Sequence, residues 1–306
     1  MNDIRHTPAH VAQWQQQGFV LIDDFFSFDE IAPIIADYEQ IYGKRGEGDG
    51  NLLDKKINGF DATHAKQFKN IHTLPYEGSV QMNLISLHPA LIEFAKSLLA
   101  VPEVSLYQSH TWAKYTGEAD YDQAFHCDFH NHTLTVPAEQ ASLRTVDFIL
   151  YLTDVSEAHG AMQYVRKQDS ENILGPKPLT IAPQYQDALK STAQTAIAKK
   201  GALLAHGIDT IHRGTNLTLQ DGYRFTMTIG YKARGNEMIG FHVWQWAGHK
   251  PWDRVIHNAN EAQLACLGIP LPGDPFWTTH TLQACQARWP EWDMSAYFAA
   301  LDKSTV

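Results

Sequence analysis

The chain has 306 residues, 44% hydrophobic and 19% charged, enough apolar material for a sizeable core and a poor match to general disorder. Its formal charge of −10 speaks against a duplex-DNA binder, which draws affinity from Lys and Arg neutralising phosphates, but leaves room for a local basic pocket. Cys127, Cys266 and Cys285 are far apart and form no CxxC pair, and no apolar run reaches the ~18 residues of a membrane span. The opening residues also lack the apolar stretch of a secretory signal. The expectation is a cytoplasmic protein acting on a small molecule, with neither nucleic acid nor membrane as partner.

Residues His10 to Gln17 read as a short helix leading into a strand at Phe19 to Ile22. Ser27-Phe28-Asp29-Glu30 has the S-x-x-E form of a capping box, opening a helix over about 29–41 with Ile31, Ile34, Ile35 and Tyr38 on one face. Gly43 to Gly50 is a polar loop. A second helix fits Pro89 to Leu99, where Leu91, Ile92, Phe94, Ala95, Leu98 and Leu99 recur at helical spacing.

After Pro102 the pattern turns to strands. Val104 to Lys114 is the first, followed by a loop at Gly117 to Asp122. Thr133–Val136, Thr145–Leu152, Ala161–Val165, Ala202–Ala205 and Tyr223–Tyr231 follow. The last alternates Tyr223, Phe225, Met227, Ile229 and Tyr231 against Arg224, Thr226, Thr228 and Gly230, the period of a strand with two different faces. Residues Pro183 to Lys200 read as an insertion with helical content. From Met238 the tail is rich in tryptophan, read as core and lid packing. Helices first and many strands afterwards imply an all-β core with flanking helices (α+β), a double-stranded β-helix or cupin-like jelly roll. The chain reads as one domain over 1–306: N-terminal support over 1–100, the jelly-roll core with its insertion over 101–235, and the Trp-rich extension over 236–306.

Sixteen histidines are unevenly spread. His126, His130 and His132 crowd together, and His206 and His212 form a second group. In Phe125-His126-Cys127-Asp128-Phe129, a His and a carboxylate two apart on an extended segment point the same way and can reach one cation. Cys127 between them points elsewhere and reads as packing. A third ligand must come from a distant segment. His212 is the best candidate and His206 its rival. Two imidazoles and one carboxylate on one side of an octahedral ion suit Fe(II) and leave open positions, and the absence of thiolate argues against structural zinc.

Twelve residues beyond His212, Arg224 opens the next strand, with Thr226 on the same face. A guanidinium fork with a hydroxyl beside it is the chemistry needed to grip the far carboxylate of 2-oxoglutarate. Lys114 and Gln108 lie on a strand that can line the same cavity, as substrate or co-substrate contacts. His130 and His132 read either as structural histidines or as partners that orient a ligand.

The chain resembles the phytanoyl-CoA dioxygenase family of Fe(II)/2-oxoglutarate oxygenases. The likeness runs from Gln15-Gln16-Gln17-Gly18-Phe19 through Ser27, the His126-Cys127-Asp128 triplet, Tyr151 to Val155 and Gly160-Ala161-Met162-Gln163. It continues to His212-Arg213-Gly214-Thr215-Asn216 and Arg224, and Gly273 to Thr278 and Trp289 to Ser295 are similar to a tail of bacterial members. The resemblance implies a hydroxylase that consumes O2 and 2-oxoglutarate, releases succinate and CO2, and oxidises an unactivated C–H bond. The acidic balance favours a small metabolite over a large acyl-CoA. Where the family often carries Pro-Gly-Ser-His, this chain has Arg166-Lys167-Gln168-Asp169, so the pocket rim is its own. Asp128 sets it apart from halide-binding variants, which carry a small residue there. Two rival readings use the same fold: a cupin-like isomerase or hydrolase, for which Arg224 would matter little, and a non-catalytic binding module, against which the intact triad weighs.

Overall fold

The structure is a computed structural model that describes residues 3–44, 71–117, 122–128, 132, 137, 140, 143–176, 178, 181–240 and 251–304. Helix α1 (Pro8–Gln17) has Thr7 as its N-cap and ends at Gly18 in the left-handed region, and strand β1 (Phe19–Ile22) follows directly. Helix α2 (Phe28–Tyr42) starts where the Ser27–Glu30 box places it, with the Glu30 carboxylate accepting from the Ser27 backbone N–H at 2.8 Å. It buries Ile31, Ile34, Tyr38, Ile41 and Tyr42, whereas Ile35 lies at the margin of that stripe. The short α3 (Val80–Leu84) precedes α4 (Pro89–Leu99), whose apolar positions all turn inward except the half-buried Ile92.

The strands form two antiparallel sheets. In chain order they are β2 (Val104–Tyr115), β3 (Thr145–Tyr151), β4 (Gln163–Tyr164), β5 (Gln194–Thr195), β6 (Leu203–Gly207), β7 (His212–Arg213) and β8 (Tyr223–Ala233). The larger sheet runs β1-β6-β3-β8-β2 and the smaller β5-β4-β7. With flanking helices, this is the jelly-roll-type architecture expected from the sequence. Alternation along β8 sorts its side chains as the period-two pattern predicts. Phe225, Met227, Ile229 and Tyr231 enter the main core with α2 and α4, while Arg224, Thr226 and Thr228 face a cavity. The same parity holds on β3, where Val146, Phe148 and Leu150 are core and Asp147, Ile149 and Tyr151 line the cavity.

Several segments differ from expectation. The strand read over Ala161–Val165 shrinks to β4, because Gly160 turns with φ +72 on one side and a helix starts on the other. That helix, α5 (Lys167–Leu174), has Arg166 as its N-cap, so the Arg-Lys-Gln-Asp segment is a helix start. The insertion is helical only over a 3-10 turn (Pro183–Tyr185) and α6 (Gln186–Thr192); its second half joins the small sheet as β5 and bridges Val155 through Ala198. The tail forms α7 (Asp253–Ile256), α8 (Glu261–Cys266), α9 (Thr279–Arg288) and α10 (Ser295–Ser304), for which the sequence reading gave no helices. They are short or weakly amphipathic, and the tryptophans that dominate the segment fall at their ends and between them. Trp252, Trp277, Trp292, Met294 and Tyr297 from this tail enter the same core cluster as α1, α2 and α4. The strand expected at Thr133–Val136, along with His130, Trp244, Trp246 and most of the loop over 43–50, lies outside the described residues. Among the described residues, no helix is long and apolar enough to cross a membrane.

Candidate metal centre and cavity

His126 and His212 meet across a two-residue antiparallel bridge. The backbone N–H of His126 donates to the His212 carbonyl at 2.9 Å, and that of His212 returns the bond at 3.0 Å. Directly opposed residues in such a ladder project to the same face, so the two imidazoles lie side by side with ring centroids 4.7 Å apart. Asp128, two residues beyond His126, shares that face. The neighbouring turn is locked the same way, with the backbone N–H of Gln123 donating to Gly214 O at 3.0 Å and the Gly214 N–H to Gln123 Oε1 at 2.8 Å. Gly160 packs against it so tightly that a Cβ there would sit 2.5 Å from the Thr215 carbonyl oxygen.

The ring nitrogens are sorted by backbone carbonyls. His126 Nδ1 lies 2.8 Å from Ala124 O and His212 Nδ1 2.9 Å from Thr210 O. Each contact places the ring proton on Nδ1 and leaves the Nε2 lone pair free for a cation. His126 Nε2 is 3.6 Å from one Asp128 oxygen, and His212 Nε2 is 3.3 Å from the other. One ligand atom from each of the three lies within 4.8 Å of the others. Cis ligands on bonds of about 2.1 Å stand about 3 Å apart, so the spacing suits one ion. Burial would raise the Asp128 carboxyl, but the His212 and His206 imidazoles beside it prevail and hold it well below the usual carboxylate range. Burial likewise disfavours charged His212, which Asp128 overrides by raising its pKa, while burial and His212 together lower that of His126. The cluster is thus a carboxylate between two imidazoles with nitrogens presented inward, a donor set that fits ferrous iron.

His206 stands just behind. It is buried on β6, its Nδ1 lies 3.3 Å from Tyr164 Oη, and its Nε2 is 3.7 Å from the Asp128 oxygen that faces His212. Tyr164 also stacks on the His212 ring, with centroids 5.5 Å apart. Cys127 points away, its Sγ donating to Asp209 O in a separate apolar cluster, and burial pushes its thiol up to about 12.

The cluster opens on a cavity of about 330 Å³ lined by both sheets. Arg224, Thr226 and Lys114 line it together, with Arg224 opposite Lys114 and Thr226 opposite Trp112 and Tyr151 in the register. Arg224 is buried and its described hydrogen bond is a long one, 3.4 Å from Nη1 to His159 O. Among the described residues no carboxylate pairs with it. Burial lowers its pKa. A buried guanidinium without an anion is costly, so this end of the cavity is built to receive one. Lys114 lies over the Trp112 ring at 5.2 Å. Gln108 lines the far part of the cavity, its amide donating to Asp147 at 2.7 Å. His132 also lines it, with Nδ1 3.0 Å from Tyr107 Oη.

Sequence reasoning missed Asp147, Tyr151 and Tyr164. Asp147 carried a usable signal, a lone acid inside the apolar run Thr-Val-Asp-Phe-Ile-Leu-Tyr. The two tyrosines carried none beyond strand propensity.

Comparison with solved structures finds the same fold at low identity. The apo structure of EctD from S. alaskensis aligns with TM-score 0.56 at 17% identity, covering 82% of this chain and 84% of that one. SnoK, a non-heme alpha ketoglutarate dependent carbocyclase from nogalamycin biosynthesis, gives 0.54 at 17%, covering 74% and 83%. SnoN, an epimerase from the same biosynthesis, gives 0.53 at 16%, covering 73% and 80%. A search of curated proteins by sequence gives no match. The family model for phytanoyl-CoA dioxygenase matches residues 14–224, a span that takes in the β1 strand, the His126–Asp128 pair, His212 and Arg224. The chain belongs to the phytanoyl-CoA dioxygenase family.

Proposed function

We propose that the protein is an Fe(II)- and 2-oxoglutarate-dependent dioxygenase that hydroxylates an unactivated C–H bond of a small-molecule metabolite, releasing succinate and CO2. The observation that carries this reading is the pairing in one cavity of the His126/Asp128/His212 cluster with the buried, anion-free Arg224. His126, Asp128 and His212 hold the metal, and their Nδ1–carbonyl contacts fix the imidazoles before it arrives. Arg224, with Thr226 beside it and Lys114 across the register, binds the far carboxylate of 2-oxoglutarate. Iron, when bound, supplies the activation of dioxygen. The protein supplies ligand geometry, a cavity that joins the metal ligands to the anion-seeking Arg224, and the placement of the substrate carbon.

The cavity volume, about 330 Å³, stands at the small end of ligand sites and favours a compact metabolite over an acyl-CoA. SnoN and SnoK are described as an epimerase and a carbocyclase, so this scaffold also hosts outcomes other than hydroxylation. Mass analysis of the product separates them, since hydroxylation adds one oxygen, oxidative ring closure removes two hydrogens and epimerisation leaves the mass unchanged.

The test is an anaerobic titration with Fe(II) and 2-oxoglutarate, read by the visible charge-transfer absorption of the chelate. Wild type gives the band. Asp128→Ala abolishes it by removing the metal. Arg224→Ala retains Fe(II) binding but weakens 2-oxoglutarate by about 30- to 1,000-fold, the cost of removing one partner of a buried charge pair. Unchanged 2-oxoglutarate affinity in Arg224→Ala would instead favour a metal-dependent isomerase or hydrolase.

A further inference from the structure

The register of the large sheet sets four residues in one row across it: Gln108 on β2, Gly230 on β8, Asp147 on β3 and His206 on β6. Three local features converge on Asp147. A bulge in β2 between Leu106 and Gln108 inserts Tyr107 as an extra residue. Tyr107 Oη donates to Asp147 Oδ1 at 2.7 Å and the Gln108 amide donates to the same oxygen at 2.7 Å. Gly230 then lets these side chains close over the backbone of β8. A Cβ there would lie 2.5 Å from Asp147 Oδ1, 2.6 Å from Gln108 Cγ and 2.6 Å from Tyr107 Cε1.

This construction holds a carboxylate at 1% exposure while satisfying only one of its oxygens. Asp147 Oδ2 has no hydrogen-bond partner among the described residues, and the nearest described cationic candidate, His132 Nδ1, stands off at 3.9 Å. No Lys or Arg pairs with it among the described residues. A buried carboxylate with a bare oxygen is among the costlier things a core can hold. The wall of a ligand cavity is where such a group finds a use. Position adds to this. Along β8, Arg224 and Gly230 are six residues apart, about 20 Å of strand, so the anion-seeking end and the Asp147 end of the cavity are opposed. Asp147 is also the cross-strand neighbour of His206, which adjoins Asp128.

We propose that Asp147 is a substrate-binding residue whose Oδ2 receives a cationic nitrogen, so that the substrate is a small amine, a quaternary ammonium or a guanidinium compound. Tyr107 and Gln108 fix the carboxylate, and His132 borders the same pocket. The inference rests on the preceding reading for what is done to the substrate, not for what is bound.

The test uses full-length protein loaded with Ni(II) and 2-oxoglutarate, titrated calorimetrically with matched pairs: phenethylamine against N-acetylphenethylamine, cadaverine against 1,5-pentanediol, and tetramethylammonium against tert-butanol. The expected result is at least one pair in which the cation binds about tenfold or more tightly than its neutral mate, with the preference falling below about twofold in Asp147→Asn. Absence of a cation preference in wild type across all pairs overturns the proposal, as does a preference that survives in Asp147→Asn. If that variant does not fold, a crystal structure of wild type with the preferred cation decides: nitrogen on Asp147 Oδ2 supports the proposal, and nitrogen elsewhere overturns it. Metal and 2-oxoglutarate binding are measured on the same samples, so failure of the oxygenase reading is seen separately. Cation preference can still be read on metal-free protein.

Discussion

His206 and His212 are six residues apart and alike in the sequence, yet their surroundings divide the work between them. His212 sits on the bridge with His126, anchors Nδ1 on a backbone carbonyl and turns Nε2 towards Asp128. His206 lies one strand deeper, buried, and approaches Asp128 at 3.7 Å, too long for a good hydrogen bond. We assign it to orienting the Asp128 carboxylate from behind, as a neighbour and not as a ligand. His212→Ala should therefore abolish measurable Fe(II) binding, whereas His206→Ala should weaken it by about 10- to 100-fold, the usual cost of losing an outer hydrogen-bonding partner. Metal titration of the two variants checks this, and equal losses would make His206 a ligand. At this scale, the His126–Asp128 pair was legible because period-two geometry is local. The choice of His212 over His206 rests on the residues that follow it, Asn216 and Arg224, because the bridge to His126 that sets the two histidines apart is a long-range pairing that no local pattern shows. Asp147 was visible as a lone acid in an apolar run, but its role was not, because the bulge and the glycine that make room for a carboxylate there lie on neighbouring strands.

At the scale of elements, local signals placed α2 and α4 to within a residue or two, because capping and helical spacing act over a few residues. The short β4 and β7 were harder to read, since two-residue strands carry no period and exist only through their partners. The entry to α2 also carries an ion pair that sequence could not assign. Arg5 grips the Glu30 carboxylate with Nη1 at 3.0 Å and Nη2 at 2.7 Å, while the Ser27 N–H donates to the same group. Burial opposes ionisation of Glu30, but Arg5 and Ser27 prevail and bring its pKa from 4.5 to about 2. A carboxyl depressed on folding contributes stability that is complete above its unfolded pKa and lost as pH falls through the folded one. The contribution should be full above about pH 4.5 and fade towards pH 2. Because the pair is part-exposed and screened, it should be worth about 1 kcal/mol. Denaturant unfolding of wild type and Glu30→Gln should differ by that amount near neutrality and converge in acid. A difference unchanged down to about pH 2 would exclude the ion pair as its source.

Across the whole molecule, the cavity stands on one face of the large sheet and the main core on the other, so chemistry and stability are carried by opposite faces of the same strands. The tail belongs to the second task. Trp277, Trp292 and Tyr297 pack edge to face, with centroids 4.9 to 6.2 Å apart, and join the cluster that includes α2, α4 and the inward face of β8. Trp252, Trp277 and Trp292 pack in the core as the sequence reading expected, but the tail helices were not read, because these tryptophans sit at helix ends and in the turns between them and so lend the helices no apolar period. This separation of faces has a measurable consequence. Trp292 is 6% exposed and does not line the cavity, so Trp292→Ala should remove large apolar area from the core and cost about 3–5 kcal/mol. That is a large part of the roughly 5–15 kcal/mol by which domains are stable. Under conditions where the variant remains folded, its Fe(II) and 2-oxoglutarate affinities should stay within about twofold of wild type, since losses at well-separated sites are independent. Urea denaturation and metal titration on the same preparation read both quantities. If affinity fell together with stability, the tail would be part of the scaffold that shapes the site, and the two faces of the sheet would be coupled through it.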